Sequence, residues 1–187
     1  MATEDELARI FGLPLFFLIF PFLLMKFRGF KFQKMLGYVR LNREDFIPPK
    51  KFISTLARAF VLFLLMVFMT ILLSIALYFL GFLDSQKVQE IIRQQPQIFI
   101  IAAVFVAPVA EEIFFRGFVQ RKLGLPVTAL LFGSFHFIYG SVTELLGAIL
   151  LGGILGYYVQ KYRSIATPIF AHMFYNAFSV YLALYGL

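Results

Sequence analysis

An all-α, polytopic bundle of about six transmembrane helices follows from three properties of this chain. Apolar residues occupy 61% of its 187 positions and charged residues only 14%, with a mean hydropathy of +0.86; that is too little polar surface to clothe a soluble fold. The apolar residues come in repeated runs near the length of roughly 20 residues that a helix needs to cross a bilayer. Lys and Arg gather in alternate connections between those runs. The chain has no cysteine, which excludes disulfides, thiolate catalysis and cysteine metal sites.

The predicted spans are 7–25, 59–83, 98–118, 127–138, 145–158 and 165–187. The first follows Glu4, Asp5 and Glu6, acids where a signal peptide would carry positive charge, so it is expected to stay as a helix. After it, residues 26–51 interleave Phe27, Phe30, Phe32, Met35, Leu36 and Tyr38 with the basic ones. That mixture predicts a positive-inside loop touching the lipid interface, broken at Gly29, Gly37 and Pro48-Pro49. The second and third spans are long and apolar. The fourth and fifth are short and interrupted by Ser134, His136, Gly152 and Gly153, which suits a protein-lined interior. Gly152-x-x-x-Gly156, with Gly147 and Gly153 nearby, reads as close helix packing, and the abundant Phe as lipid-facing surface. The sixth span ends the chain. The expectation is one integral membrane domain over 1–187, with N-terminal spans and basic loop in 1–97 and a functional bundle in 98–187.

Twelve of the seventeen Lys and Arg fall in connections on one side, three (Arg9, Lys87, Arg93) on the other, and Arg58 and Arg116 inside helices. The positive-inside rule then predicts cytoplasmic basic loops with both termini outside, in a plasma membrane protein. The same sorting accounts for the pI of 9.7 without a nucleic-acid partner.

Chemistry is expected where Ile101-Ala-Ala-Val-Phe-Val-Ala-Pro-Val-Ala-Glu111-Glu112-Ile-Phe-Phe-Arg116 places three charges in an apolar span. Each costs roughly 2.5–3.5 kcal/mol at a bilayer centre, so a functional site is the default reading. Glu112 and Arg116, four apart on a helix, can pair, which leaves Glu111, turned about 100° away, without a local partner. Pro108, one turn earlier, opens the helix and predicts a water-filled recess beside Glu111. The two histidines also lie in apolar spans, and His172 shares a helix face with Asn176. By helical rise, Glu111 and His136 lie about 15 Å from the basic end of their spans, and His172 and Asn176 about 12 to 18 Å. The four can meet in one layer.

Glu111-Glu112-x-x-x-Arg116, Phe132-x-x-x-His136 and His172-x-x-x-Asn176, ordered on successive apolar segments, resemble the three motifs of the CPBP family of intramembrane proteases, the CAAX-protease and bacteriocin-processing group related to the Rce1 prenyl-protein endopeptidase. The resemblance covers roughly the C-terminal half. It implies an intramembrane endopeptidase with Glu111 as the base that activates water, His136 helping to hold that water, His172 and Asn176 donating to the oxyanion, and Glu112 with Arg116 as structural support. It implies a peptide or membrane-protein substrate, in a setting of membrane lipids. No cofactor is expected. The alternative is Zn²⁺ held by two His and a Glu, against which stands the lack of a His-Glu-x-x-His helix. Two other classes compete: a noncatalytic scaffold or immunity protein of the same family, whose signature would be a broken motif, and a transporter, which would show internal repeats. Water and substrate are expected to enter from the basic side, past Arg116 and Gly117, with Ala102 on a dry approach.

Overall fold

The computed structural model describes residues 4–186, with side chains from residue 12 onward. Leu187 and the side chains at 7–11, including Arg9, lie outside the described residues. All regular structure among the described residues is helical: α1 (Glu4–Phe27), α2 (Phe32–Tyr38), α3 (Pro49–Phe79), α4 (Gln86–Arg93), α5 (Gln97–Ile101), α6 (Ala107–Glu111), α7 (Gln120–His136), α8 (Val142–Tyr162) and α9 (Ala166–Tyr185). Two π-helical stretches, Ala102–Val106 and Glu112–Val119, link α5 to α6 and α6 to α7.

Each predicted span falls on a helix with shifted ends: 59–83 lies on a helix that starts earlier and stops at Phe79, 145–158 is lengthened to Val142–Tyr162, and 165–187 is trimmed to Ala166–Tyr185. By length and composition, Pro49–Phe79, Gln97–Tyr139 and Val142–Tyr162 suit membrane crossing, with a shorter apolar stretch at Gly12–Phe27. The 43-residue segment is two predicted spans joined by a sharp reversal. Gly124 makes the turn with φ +78°, a left-handed conformation that only glycine adopts cheaply, and Pro126 starts the return. α9 has the length of a span, and its His172 and Asn176 explain its lower apolarity.

The basic connection is more than an interfacial loop. Met35 and Val39 are buried with Met25, Ile113, Phe118 and Val159 in one core cluster, because α2 folds under the bundle. Its backbone is tied to the α8–α9 turn, with Ile165 N–H donating to Arg40 O (3.1 Å) and Arg40 donating to Val159 O (3.0 Å). Arg121 donates to Tyr38 O (2.6 Å), and Ser164 donates to Asp45 Oδ2 (2.8 Å). The basic end is closed by its own chain.

At the other end the start of α8 is capped by a residue from the α3–α4 connection. Asp84 accepts from the Ser141 hydroxyl (2.7 Å) and from the N–H groups of Val142 (3.1 Å) and Thr143 (3.0 Å). Burial alone would raise this carboxyl, but the Thr143 amide, the Ser141 hydroxyl and Lys87 hold it well below the usual carboxylate range.

Two sequence expectations need correcting here. Phe17, Phe115, Phe118 and Phe132 are buried, with Phe17 stacked on Phe114 (4.6 Å) and edge-on to Phe115 (5.2 Å), so part of the Phe content is core between α1 and the glutamate-bearing segment. Close helix contact holds at Gly152 and Gly156 but not at Gly147 or Gly153, which face open space. The tightest α7–α8 approach falls instead at Gly133, where a β-carbon would meet Ile149 and stand 2.9 Å from Leu145 O. Gly133→Ala is therefore expected to cost about 1–3 kcal/mol through overpacking, seen as a lower Tm in detergent, whereas Gly147→Ala, with nothing within 4 Å, should leave Tm unchanged or raised.

Candidate functional site

Three helical segments bring the polar residues together. Glu112 and Arg116 sit in the wide-turned π segment, a form that recurs at functional sites. Both are fully buried, with Arg116 Nε 3.3 Å from Glu112 Oε2. The guanidinium lies 4.0 Å over the Phe132 ring of α7, a cation–π contact that replaces some of the hydration it has lost. The predicted pair exists, and it has a third member.

His172 of α9 reaches Glu112 Oε1 through Nδ1 at 3.1 Å. The carboxylate opposite Arg116 can only accept, so His172 donates from Nδ1 and turns Nε2 outward. Nε2 lies 3.8 Å from Glu111 Oε2. One imidazole therefore stands between the two glutamates, and Glu111, without a partner in its own helix, faces one from α9. The spacing rule considers one helix alone, and the neighbour comes from 61 residues away. Glu111 differs from Glu112 in exposure, its side chain being 17% accessible against 0%.

His136 is anchored in the same way. Its Nδ1 donates to the Phe132 carbonyl one turn back at 2.8 Å, since a carbonyl can only accept, so Nε2 is free. Its ring packs 4.6 Å from that of Phe132, which in turn stands 6.0 Å from His172. Phe132 thus touches Arg116 and both imidazoles.

Asn176 takes up a backbone debt. In the π-helical stretch the Ala107 N–H bonds Ala102 O; the next bond in that register would run from residue 108 to Ala103 O, and Pro108 has no N–H to give. The Asn176 amide donates to Ala103 O at 2.9 Å instead. The carbonyl that Pro108 leaves open is covered by a side chain. The second amide N–H of Asn176 remains available.

His136, His172 and Asn176 line a cavity of about 800 Å³ that runs between α3, α8 and α9 toward the α3–α4 connection, with Leu83, Ser85 and Val88 at that end. This overturns entry past Gly117 from the basic side. Gly117 is packed against Val39, whose carbonyl would stand 2.9 Å from an added β-carbon, and Arg116 is sealed off. The side of the membrane on which the open end lies is a separate matter. Sequence reasoning missed Glu144, which also lines this cavity. Its Ser141-x-x-Glu144 spacing reads as a helix start and hid it. Among the described residues no three His, Cys, Asp or Glu side chains come together in a way that could hold a metal ion.

The family model for type II CAAX prenyl endopeptidases, Rce1-like, matches residues 93–178, the segment that carries every site residue named above. Comparison with curated proteins and with solved structures gives no match.

Glu112→Gln would leave Arg116 buried without a counter-charge and is expected to cost about 3–5 kcal/mol, visible as a large fall in Tm in detergent. The paired change Glu112→Leu with Arg116→Met should recover much of that loss; a double variant no more stable than the single one would speak against charge imbalance as the cause.

Proposed function

We propose that this chain, whose residues 93–178 belong to the Rce1-like CAAX protease family, is an intramembrane endopeptidase that activates water with Glu111. One observation carries the reading: a single imbedded imidazole holds a sealed glutamate on Nδ1 and faces a partly exposed glutamate with Nε2. Two adjacent carboxylates are thereby given different environments, and only the accessible one can meet water.

In this reading Glu111 takes a proton from water as its oxygen attacks the peptide carbonyl carbon. The carbonyl π-electrons move onto oxygen, and that oxyanion is met by N–H donors. His172, when protonated, offers Nε2–H from the ring that Glu112 holds at Nδ1. The second amide N–H of Asn176 is the other candidate donor, each such donor being worth roughly 2.7–4 kcal/mol in a preorganised site. His136 Nε2, with its other nitrogen fixed, can hold the attacking water. Collapse of the tetrahedral intermediate breaks the C–N bond, and Glu111 returns its proton to the leaving amine. The substrate is a peptide or membrane protein presented from within the bilayer.

Glu111→Gln should lower hydrolysis of a quenched-fluorescent peptide by at least about 10³-fold while the Tm stays within a few degrees, since an amide cannot take the proton. Near-normal turnover of that variant would sink the mechanism, and absence of turnover in both proteins on every peptide would favour a noncatalytic scaffold.

The zinc alternative would use the two Nε2 atoms and Glu111, but that set does not come together closely enough to fit an ion. Chelation by EDTA or phenanthroline is accordingly expected to leave activity largely intact, with no stoichiometric metal by elemental analysis of the purified protein. Loss on chelation with recovery on adding Zn²⁺ would replace the glutamate mechanism by metal-activated water.

A further inference from the structure

Glu144 is the one carboxylate of the cavity that the mechanism leaves unused. It is the third residue of α8, three after the N-cap Ser141, the spacing of a capping box in which the glutamate folds back onto the cap's own N–H. Here that duty has passed elsewhere. Ser141 Oγ accepts from Glu144 N–H (3.1 Å) and gives its proton to Asp84 (2.7 Å), while Asp84 takes the N–H groups of Val142 and Thr143. The N–H groups of Val142, Thr143 and Glu144 are thus met without the Glu144 side chain, which lines the cavity with His136, His172 and Asn176.

Among the described residues no Lys, Arg or His nitrogen lies within 4 Å of the Glu144 carboxylate. The lining contains no Lys or Arg at all. Apart from the imidazoles of His136 and His172, the cavity offers this carboxylate no basic group, inside largely apolar walls where charge is weakly screened and an ionisable group signals function. A carboxylate of the substrate entering here would meet a like charge and neither Lys nor Arg, while an ammonium or guanidinium would give Glu144 a close partner.

Resting on the endopeptidase reading above, we propose that Glu144 is a specificity residue that selects peptides carrying a Lys or Arg side chain close to the scissile bond and rejects those with Asp or Glu there. Two unit charges a few ångströms apart at a protein-like dielectric interact strongly enough for a preference on the order of 100-fold.

The test uses the purified full chain in detergent and quenched-fluorescent peptides of one sequence, with Lys, Met or Glu placed in turn at each of the two residues on either side of the cleaved bond. At one of these positions kcat/KM should fall from Lys through Met to Glu, with Lys above Glu by on the order of 100-fold. Glu144→Gln should compress that ratio to about 10-fold or less, Glu144→Asp should retain most of it, and Glu144→Lys should reverse its sign. Should Glu144→Gln fail to fold, Glu144→Asn against Glu144→Asp makes the same comparison at matched size. A Lys-to-Glu ratio near one at every position, or a ratio unchanged when the charge at 144 is removed, overturns the proposal while leaving the protease reading intact. Cleavage of none of the peptides by the unmodified chain removes the reading and this inference together.

Discussion

The buried triplet of Arg116, Glu112 and His172 is the constraint on which the rest of the site depends. Two opposite charges with no accessible surface are costly to bury unless they find partners; here those partners come from different helices, although both Nη atoms of Arg116 are left without a hydrogen-bond acceptor among the described residues. Glu112 spends one oxygen on Arg116 and the other on His172 of α9, while the guanidinium face rests on Phe132 of α7. One ion pair thus fixes three segments against each other. It also fixes chemistry: the proton on His172 is drawn to Nδ1, and the position of Phe132 sets where His136 stands.

Backbone satisfaction imposes a second constraint, and it explains why Asn176 belongs with the histidine. A chain buried away from water must pair its carbonyls internally, and Pro108 removes the donor that Ala103 O would use in the π-helical register. The Asn176 amide covers that carbonyl, so α9 is locked to the segment that ends in Glu111. The residue is structural through one N–H and free through the other. Replacing it would loosen the helix pair and remove a donor at once, which is why its two roles must be separated by measuring stability beside turnover.

Much of this was legible in the sequence because membrane burial makes charges conspicuous. Glu111, Glu112, Arg116, His136, His172 and Asn176 stood out against apolar surroundings, their spacing placed them on helix faces, and helical rise placed them at one depth. The helical class and the spans followed from the same hydropathy. What stayed hidden depended on contacts between distant segments. The partner of Glu111 is 61 residues away along the chain. Glu144 lies just before the apolar run 145–158 and so did not stand out, and only the position of Asp84, from another connection, shows that the first N–H groups of α8 are already met. The inward turn of α2 was masked by its basic residues, although Met35 and Val39 at a spacing of four were a visible apolar stripe.

That inward turn decides the direction of access. A basic, flexible connection would leave the short helix ends beneath Arg116 open to water, and the sequence alone favoured entry there. Once Val39 is packed on Gly117 and Arg40 is bonded to the carbonyl of Val159 and the amide of Ile165, that end holds core rather than solvent. The space left over must then lie on the other side of the layer of buried polar residues, and it does: the cavity extends from His172 toward α4, whose Val88 and Ile92 form part of its wall. α4 is held there by Arg93 donating to Ala183 O at 2.7 Å and by Lys87 bridging Asp84 and Gly140 O. The same Asp84 that caps α8 therefore also anchors the cavity's outer wall, so the group that frees Glu144 and the group that shapes the approach to it are one residue.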